Sequence, residues 1–270
     1  PYRRQRQMCI RDRGNIMDDF IGIFDSGIGG LTVYSKIVEA FKNENIVYLA
    51  DTKNCPYGTK DLSLVRKITL NNIEYLKNLG AKIIIIACNT ATSSITDIID
   101  NSNQYLLGVV EPTALYALEH SRTKRIGLLA TNLTVSTKVY EKYLVGATVY
   151  SEGCSDFVIP IENGQFHSTL MKKMIQNHLQ KLPEVDTLIL GCTHFPYIKD
   201  EIQKNLPETK IIESGDATVM QLKKYFEKAN LKVKNKDRKL VFLTTGDLES
   251  CFKQITRLNY QFDDIKKVKI

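Results

Sequence analysis

Ile83–Thr92 reads IIIIACNTAT, and Thr187–Pro196 reads TLILGCTHFP. Each is a short apolar run without alternation, followed by a cysteine and hydrogen-bonding side chains. Such a run suits a strand buried on both faces, the pattern of parallel sheets covered by helices. Cys88 and Cys192 therefore take matching places, at the carboxyl ends of two such strands.

Strand and helix signals alternate on both sides of these segments. FIGIFDSG and NIVYLAD read as strands, with the helix LTVYSKIVEAF between them. The helix that follows, in DLSLVRKITLNNIEYLKNLG, has Leu62, Val65, Ile68, Ile73, Leu76 and Leu79 at helical spacing. Asp61 is a candidate cap for it and Gly80 a candidate stop. After Pro112 the cycle repeats, with strands in RIGLLAT, ATVYSEGC, TLILGCTH and TKIIESGD. A further strand, KLVFLTTGD, and the helix LESCFKQITRL finish the chain.

The fold class is therefore α/β with mainly parallel sheets covered by helices, in which ligands bind beyond the carboxyl ends of the strands. The expected division is 17–112 plus 217–270, carrying Cys88, and 113–216, carrying Cys192. Residues 1–16 are read as a non-native or disordered leader.

The chain has 270 residues and a formal charge of +7. The leader holds five arginines and one aspartate, so it contributes +4 and leaves +3 over the other 254 residues. That distribution argues against a nucleic-acid partner. No apolar run has the length of a membrane span. The six cysteines form no CxxC pair, and the chain is long enough to build a core without disulfides. Free thiols in a reducing cytoplasm are expected. Cys9 falls in the leader and is set aside.

A single buried cysteine is usually structural. Two at matching strand ends, each facing an expected helix N-terminus, point further, because peptide dipoles favour a thiolate there. Inverting a stereocentre needs a base on one face and an acid on the other. A thiol of pKa about 8.5 serves in either role after a modest shift, without a cofactor.

DSGIGG, Asp25–Gly30, reads as a turn presenting Asp25 and Ser26, with glycines that let backbone N–H groups approach an anion. The plainer reading is a tight strand-to-helix turn. Its spacing is not that of a dinucleotide fingerprint. PYG, Pro56–Gly58, reads alone as an ordinary turn. His194, two residues after Cys192, is placed to tune that thiol or supply a proton. Glu162, in FVIPIENG, reads alone as a surface glutamate. A zinc site from Cys88, Cys192 and His194 lacks a local ligand pair with metal-site spacing. His120, His167 and His178 are read as structural.

Taken in order, IGIFDSGIGGLTV, YLADTKNCPYG, IIACNTAT and LGCTHFP resemble the glutamate racemases of the aspartate/glutamate racemase superfamily, from about Asp19 to the C-terminus. The resemblance implies two similar Rossmann-like α/β domains with the active site in the cleft between them, a cofactor-independent two-cysteine mechanism and a role in supplying D-glutamate for peptidoglycan. It implies Cys88 and Cys192 as the catalytic thiols, Asp25 as the acid assisting the first and His194 as the residue assisting the second. Glu162 is implied as a further acid. Substrate contacts are implied at Ser26, Pro56, Tyr57, Gly58, Asn89, Thr90, Thr131, Thr134 and Thr193. No metal, nucleic acid or membrane partner is implied, and a homodimer is expected.

Aspartate carries the same polar groups as glutamate, and a pocket distinguishes one methylene by only about 1–3 kcal/mol. Glutamate over aspartate thus rests on the resemblance. The rival classes are a sister racemase or decarboxylase, a non-catalytic amino-acid-binding module, and a redox or zinc protein.

Overall fold

The computed structural model describes residues 19–102, 105–229 and 237–270. The leader 1–16, with Cys9, lies outside them. Among the described residues, ten strands form two sheets. The first contains β1 (Phe20–Asp25), β2 (Asn45–Ala50), β3 (Ala81–Ile86), β4 (Leu106–Gly108), β9 (Leu240–Thr244) and β10 (Asp264–Lys267). The second contains β5 (Arg125–Ala130), β6 (Thr148–Gly153), β7 (Thr187–Gly191) and β8 (Lys210–Ile212). Their orders are β10-β9-β2-β1-β3-β4 and β6-β5-β7-β8, and the pairings within both are parallel.

The apolar runs become strands because both faces of each sheet are covered. Every residue of β1 and β2 is buried. On one face of the first sheet Ile23, Ile85 and Tyr48 join the core with helix Leu31–Ala40. On the other, Phe24, Ile84 and Ile86 pack with helix Leu62–Asn78. That helix buries Val65, Ile73 and Leu76 as its spacing predicts, while Leu62 at its start is 42% exposed. Asp61 takes the N-cap position but makes no side-chain cap bond. Gly80 ends the helix at φ +101°, a conformation glycine adopts without strain.

Beta10 was not expected from the sequence. Its residues, DIKK, are partly exposed and largely charged, as suits an edge strand. Backbone pairing with β9 holds it in place, and side-chain periodicity does not record that.

Parallel pairing places the carboxyl ends of all strands in a sheet along one edge. In the first sheet the order reverses between β1 and β3; in the second it reverses between β5 and β7. Such switch points leave a crevice at the strand ends. Asp25 ends β1 and Cys88 follows β3, and Thr131 and Cys192 follow β5 and β7. The chain passes between the sheets through helices Val110–His120 and Ser214–Lys228, which pack on each other. Among the described residues, no helix is long and apolar enough to cross a membrane.

Candidate active site

One pocket lies where the two crevices meet. Ser26, Pro56, Tyr57, Gly58, Cys88, Asn89 and Thr90 line it from the first sheet's side; Thr131, Val158, Cys192, Thr193 and His194 line it from the second. Asp25, Glu162 and Thr134 stand behind this lining. All fourteen residues singled out in the sequence thus gather at or directly behind one cavity.

Cys88 caps the short helix Asn89–Ser94, and its Sγ accepts the Ala91 N–H at 3.4 Å. Its thiol donates to Ser26 Oγ at 3.7 Å. Burial pushes the Cys88 thiol up to about 12, and the Asp25 charge adds to the rise; the Ala91 and Ser26 bonds pull it down. Asp25 is fully buried. Its Oδ2 accepts the N–H groups of Gly27 (3.0 Å) and Gly30 (3.1 Å), and its Oδ1 accepts the Thr193 hydroxyl at 3.2 Å. Burial raises this carboxyl above its usual range, against the opposing pull of the His194 charge and those bonds.

Cys192 differs from the sequence expectation in one respect. A 3₁₀ turn, Phe195–Ile198, follows it in place of an α-helix, so only Cys88 sits at an α-helix N-terminus. A side chain takes up the neighbouring role: Cys192 Sγ lies 3.7 Å from His194 Nδ1. The other ring nitrogen, Nε2, is 2.6 Å from Glu162 Oε1. Burial disfavours the imidazolium, yet the Cys192 and Glu162 partners outweigh it and hold the ring proton well above histidine's usual range. Burial likewise opposes charge on Glu162, but His194 and Gln254 bring its carboxyl below the usual range. The pair is therefore an imidazolium facing a carboxylate. Gln254 Nε2 reaches Glu162 Oε2 at 3.0 Å and Arg257 donates to its carbonyl at 3.0 Å, tying this pair to the C-terminal helix Leu248–Arg257.

The remaining lining groups are neutral donors and acceptors. Thr90, Thr131 and Thr134 form a hydroxyl triangle with edges of 2.9, 3.2 and 2.9 Å. Asn89 Oδ1 accepts the Tyr140 hydroxyl at 2.6 Å. Its Nδ2 is buried and has no hydrogen-bond partner among the described residues. The Tyr57 hydroxyl donates to Asp51 at 2.5 Å, and Thr245 donates to the same carboxylate at 2.6 Å. No lysine or arginine is among the lining residues.

Two glycines allow the halves to meet. A Cβ on Gly29 would lie 2.6 Å from both His194 Nδ1 and Thr193 Oγ1; one on Gly58 would lie 2.6 Å from Thr131 Cβ. Sequence reading missed Val158, Cys55, Tyr140 and Gln254. Val158 and Gln254 lie on helix faces whose spacing marks only an amphipathic helix. Cys55 was visible as the residue before Pro-Tyr-Gly, but nothing local ties it to Glu162 or His194. The zinc set considered from sequence is not the cluster that forms: Cys55, Glu162 and His194 bring their ligand atoms within 4.8 Å of one another.

Comparison with known proteins agrees with this geometry. Residues 21–222 match the model of the Asp/Glu/Hydantoin racemase family. The chain is 39% identical to a glutamate racemase of Aquifex aeolicus over 209 residues, which is 76% of this chain and 82% of that one. Its structure superposes on glutamate racemase isoform RacE1 of Bacillus anthracis with a TM-score of 0.88, at 30% identity, covering 93% of this chain and 98% of that one. The glutamate racemase of Francisella tularensis, solved in complex with D-glutamate, gives a TM-score of 0.86 at 27% identity, with 93% and 98% covered. With a family model spanning most of its length and relatives matched nearly end to end, the chain belongs to the Asp/Glu/Hydantoin racemase family, among the glutamate racemases, which are isomerases.

Proposed function

We propose that the protein interconverts L- and D-glutamate by proton transfer between its two pocket thiols and Cα, without a cofactor. The observation that carries this reading is that Cys88 and Cys192 follow strands of different sheets and line one pocket, with His194 3.7 Å from Cys192 and the Asp25 charge near enough to Cys88 to raise its pKa. One thiolate takes the Cα proton, and the electron pair is held by the adjacent carboxylate. The opposite thiol returns a proton on the other face. The first residue ends protonated and the second as thiolate, so the next turnover runs in reverse or after proton exchange.

The roles follow the surroundings. His194 holds a proton against Glu162 through Nε2 and turns Nδ1 to Cys192 Sγ at 3.7 Å, so it is placed to exchange a proton with that sulfur. Burial disfavours the Cys88 thiolate, and the ammonium group of an amino-acid substrate would supply the positive charge that lets it ionise. Asp25, bonded to Gly27, Gly30 and Thr193, is the acid behind it. Asn89 Nδ2, the hydroxyls of Ser26, Thr90 and Thr193, and nearby backbone N–H groups serve as donors to the substrate carboxylates. Pro56, Tyr57, Gly58, Thr131 and Thr134 shape the wall that receives the side chain. By resemblance, Cys88 acts on the D-isomer and Cys192 on the L-isomer.

The same resemblance carries the domain limits 17–112 plus 217–270 and 113–216, a cytoplasmic homodimer and D-glutamate supply for peptidoglycan; light scattering on the purified protein tests the dimer.

The deciding experiment follows the circular dichroism of L-glutamate with purified protein in reductant, beside L-aspartate. Decay of the signal with glutamate alone supports the reading. Decay with aspartate alone moves the substrate and keeps the mechanism. No decay with either overturns it.

A further inference from the structure

Cys55 is not required by the reaction above, yet it stands beside two residues that are. It occupies the loop after β2, immediately before Pro56. Its thiol, the Glu162 carboxylate and the His194 ring offer ligand atoms that all lie within 4.8 Å of one another. A thiolate, an imidazole and a carboxylate form a donor set that prefers zinc-like cations over magnesium or calcium. Two anionic ligands and a neutral ring would also balance a divalent charge in this largely buried place.

Glycine at position 27 lets two of these donors approach the same stretch of backbone. A Cβ built on Gly27 would lie 3.0 Å from Glu162 Oε1 and 3.1 Å from Cys55 Sγ, so these two donors converge on the space that glycine keeps open. His194 Nε2 enters from the other side, 2.6 Å from the same Glu162 oxygen. Three residues distant in sequence, from both sheets' loops, thus point at one small volume behind Cys192.

We propose that Cys55, Glu162 and His194 form an inhibitory site for a zinc-like divalent cation, separate from the substrate pocket but sharing His194 with it. The cation displaces the thiol proton of Cys55 and the proton between His194 and Glu162, both released to solvent. A water molecule completes the tetrahedral set. With the cation on Nε2, His194 is held as a neutral ring whose remaining proton stays on Nδ1. It then no longer presents an imidazolium to Cys192, and the loop bearing Pro56 is fixed from behind. Racemisation stops with no thiol of the pocket being modified. The inhibition half of this inference rests on the function proposed above; the binding half does not.

The test uses the full-length protein in a non-chelating buffer with a phosphine reductant. Cobalt(II) is titrated first, because a thiolate-to-cobalt charge-transfer band reports a cysteine ligand whether or not the protein is active. The band is expected at one cobalt per chain in the parent protein and absent in Cys55→Ala. Zinc chloride is then titrated into the racemase assay. Cys55→Ala and the nearly isosteric Cys55→Ser should keep near-parental basal turnover. Their half-inhibitory zinc concentration should rise by at least about tenfold. An unchanged cobalt band and unchanged zinc sensitivity in both variants would place the metal on the pocket thiols and overturn the proposal. So would the lack of both band and inhibition in the parent protein. A cobalt band that depends on Cys55 in a protein inactive toward glutamate would keep the site and sink only the functional reading.

Discussion

Thr193 Oγ1 donates a hydrogen bond to Asp25 Oδ1 at 3.2 Å, joining the two cysteine-bearing halves at their chemical centre. Asp25 ends β1 beside Cys88, and Thr193 lies between Cys192 and His194. The bond is made between buried groups, Asp25 being fully buried and Thr193 nearly so. The acid behind one cysteine is thereby held by the loop that carries the other.

The thiols are the first target. Cys88→Ser and Cys192→Ser should each lower racemisation by at least about 10²-fold, the usual contribution of one general acid-base group. Circular dichroism measures the loss. A single variant with near-parental turnover would refute the two-thiol mechanism.

Glu162→Gln keeps the shape of the side chain and removes its charge. The His194 imidazolium then loses its carboxylate partner. A bond to a charged group contributes about 1.5–3 kcal/mol, so kcat should fall by about 10- to 100-fold. The effect should be larger with L-glutamate as substrate than with D-glutamate, if Cys192 is the base for the L-isomer. Equal, small effects in both directions would argue against the Cys192–His194–Glu162 chain.

Gly29→Ala removes no functional group. Its methyl would lie 2.6 Å from His194 Nδ1 and from Thr193 Oγ1, which no rotamer relieves without moving the site. Activity should drop sharply, and overpacking should cost roughly 1–3 kcal/mol of stability. Urea unfolding and the racemase assay measure the two effects. A fully active Gly29→Ala protein would show that the observed closeness is not needed.

Cys88 should behave as a reluctant nucleophile in the empty protein. Burial holds its thiol at about 12. Alkylation by iodoacetamide, followed at this residue by peptide mapping, should rise about tenfold per pH unit with no plateau below pH 10. A plateau near pH 8 would mean that the pocket stabilises the thiolate without substrate.

Acid sensitivity should include a contribution far from the pocket. Asp186 accepts the Ser121 hydroxyl and the N–H groups of Arg122 and Thr123, each at 2.7 Å. Although partial burial opposes the charge, these bonds bring its carboxyl down to about 2 from 3.8. A lowered folded value stabilises the protein above the unfolded value, and the gain is lost as pH falls through the folded one. Asp186→Asn should therefore be less stable than the parent near neutrality, and the gap should close between about pH 4 and 2. Urea midpoints across that range check it, and a constant gap would count against it.

Much of the fold is legible along the chain because burial writes itself into side-chain pattern. Ile83–Ile86 and Leu188–Leu190 are apolar without alternation because helices cover both faces, and with the helices between such runs this points to parallel α/β sheets. The residues after each run then fall at strand ends, where such sheets bind ligands. Beta10 escaped because an edge strand is held by backbone pairing, which no side-chain spacing encodes.

By itself, the sequence determined the α/β class, the two matched strand ends and the residue types available there. Only the tertiary structure decided which strand ends meet. Thr193 finds Asp25 across 168 positions of chain, and His194 finds both Glu162 and Cys55, because the switch points of two sheets face each other. Local pattern reports how a residue is buried. It carries no record of which distant segment does the burying, and the chemistry of this pocket lies in those pairings.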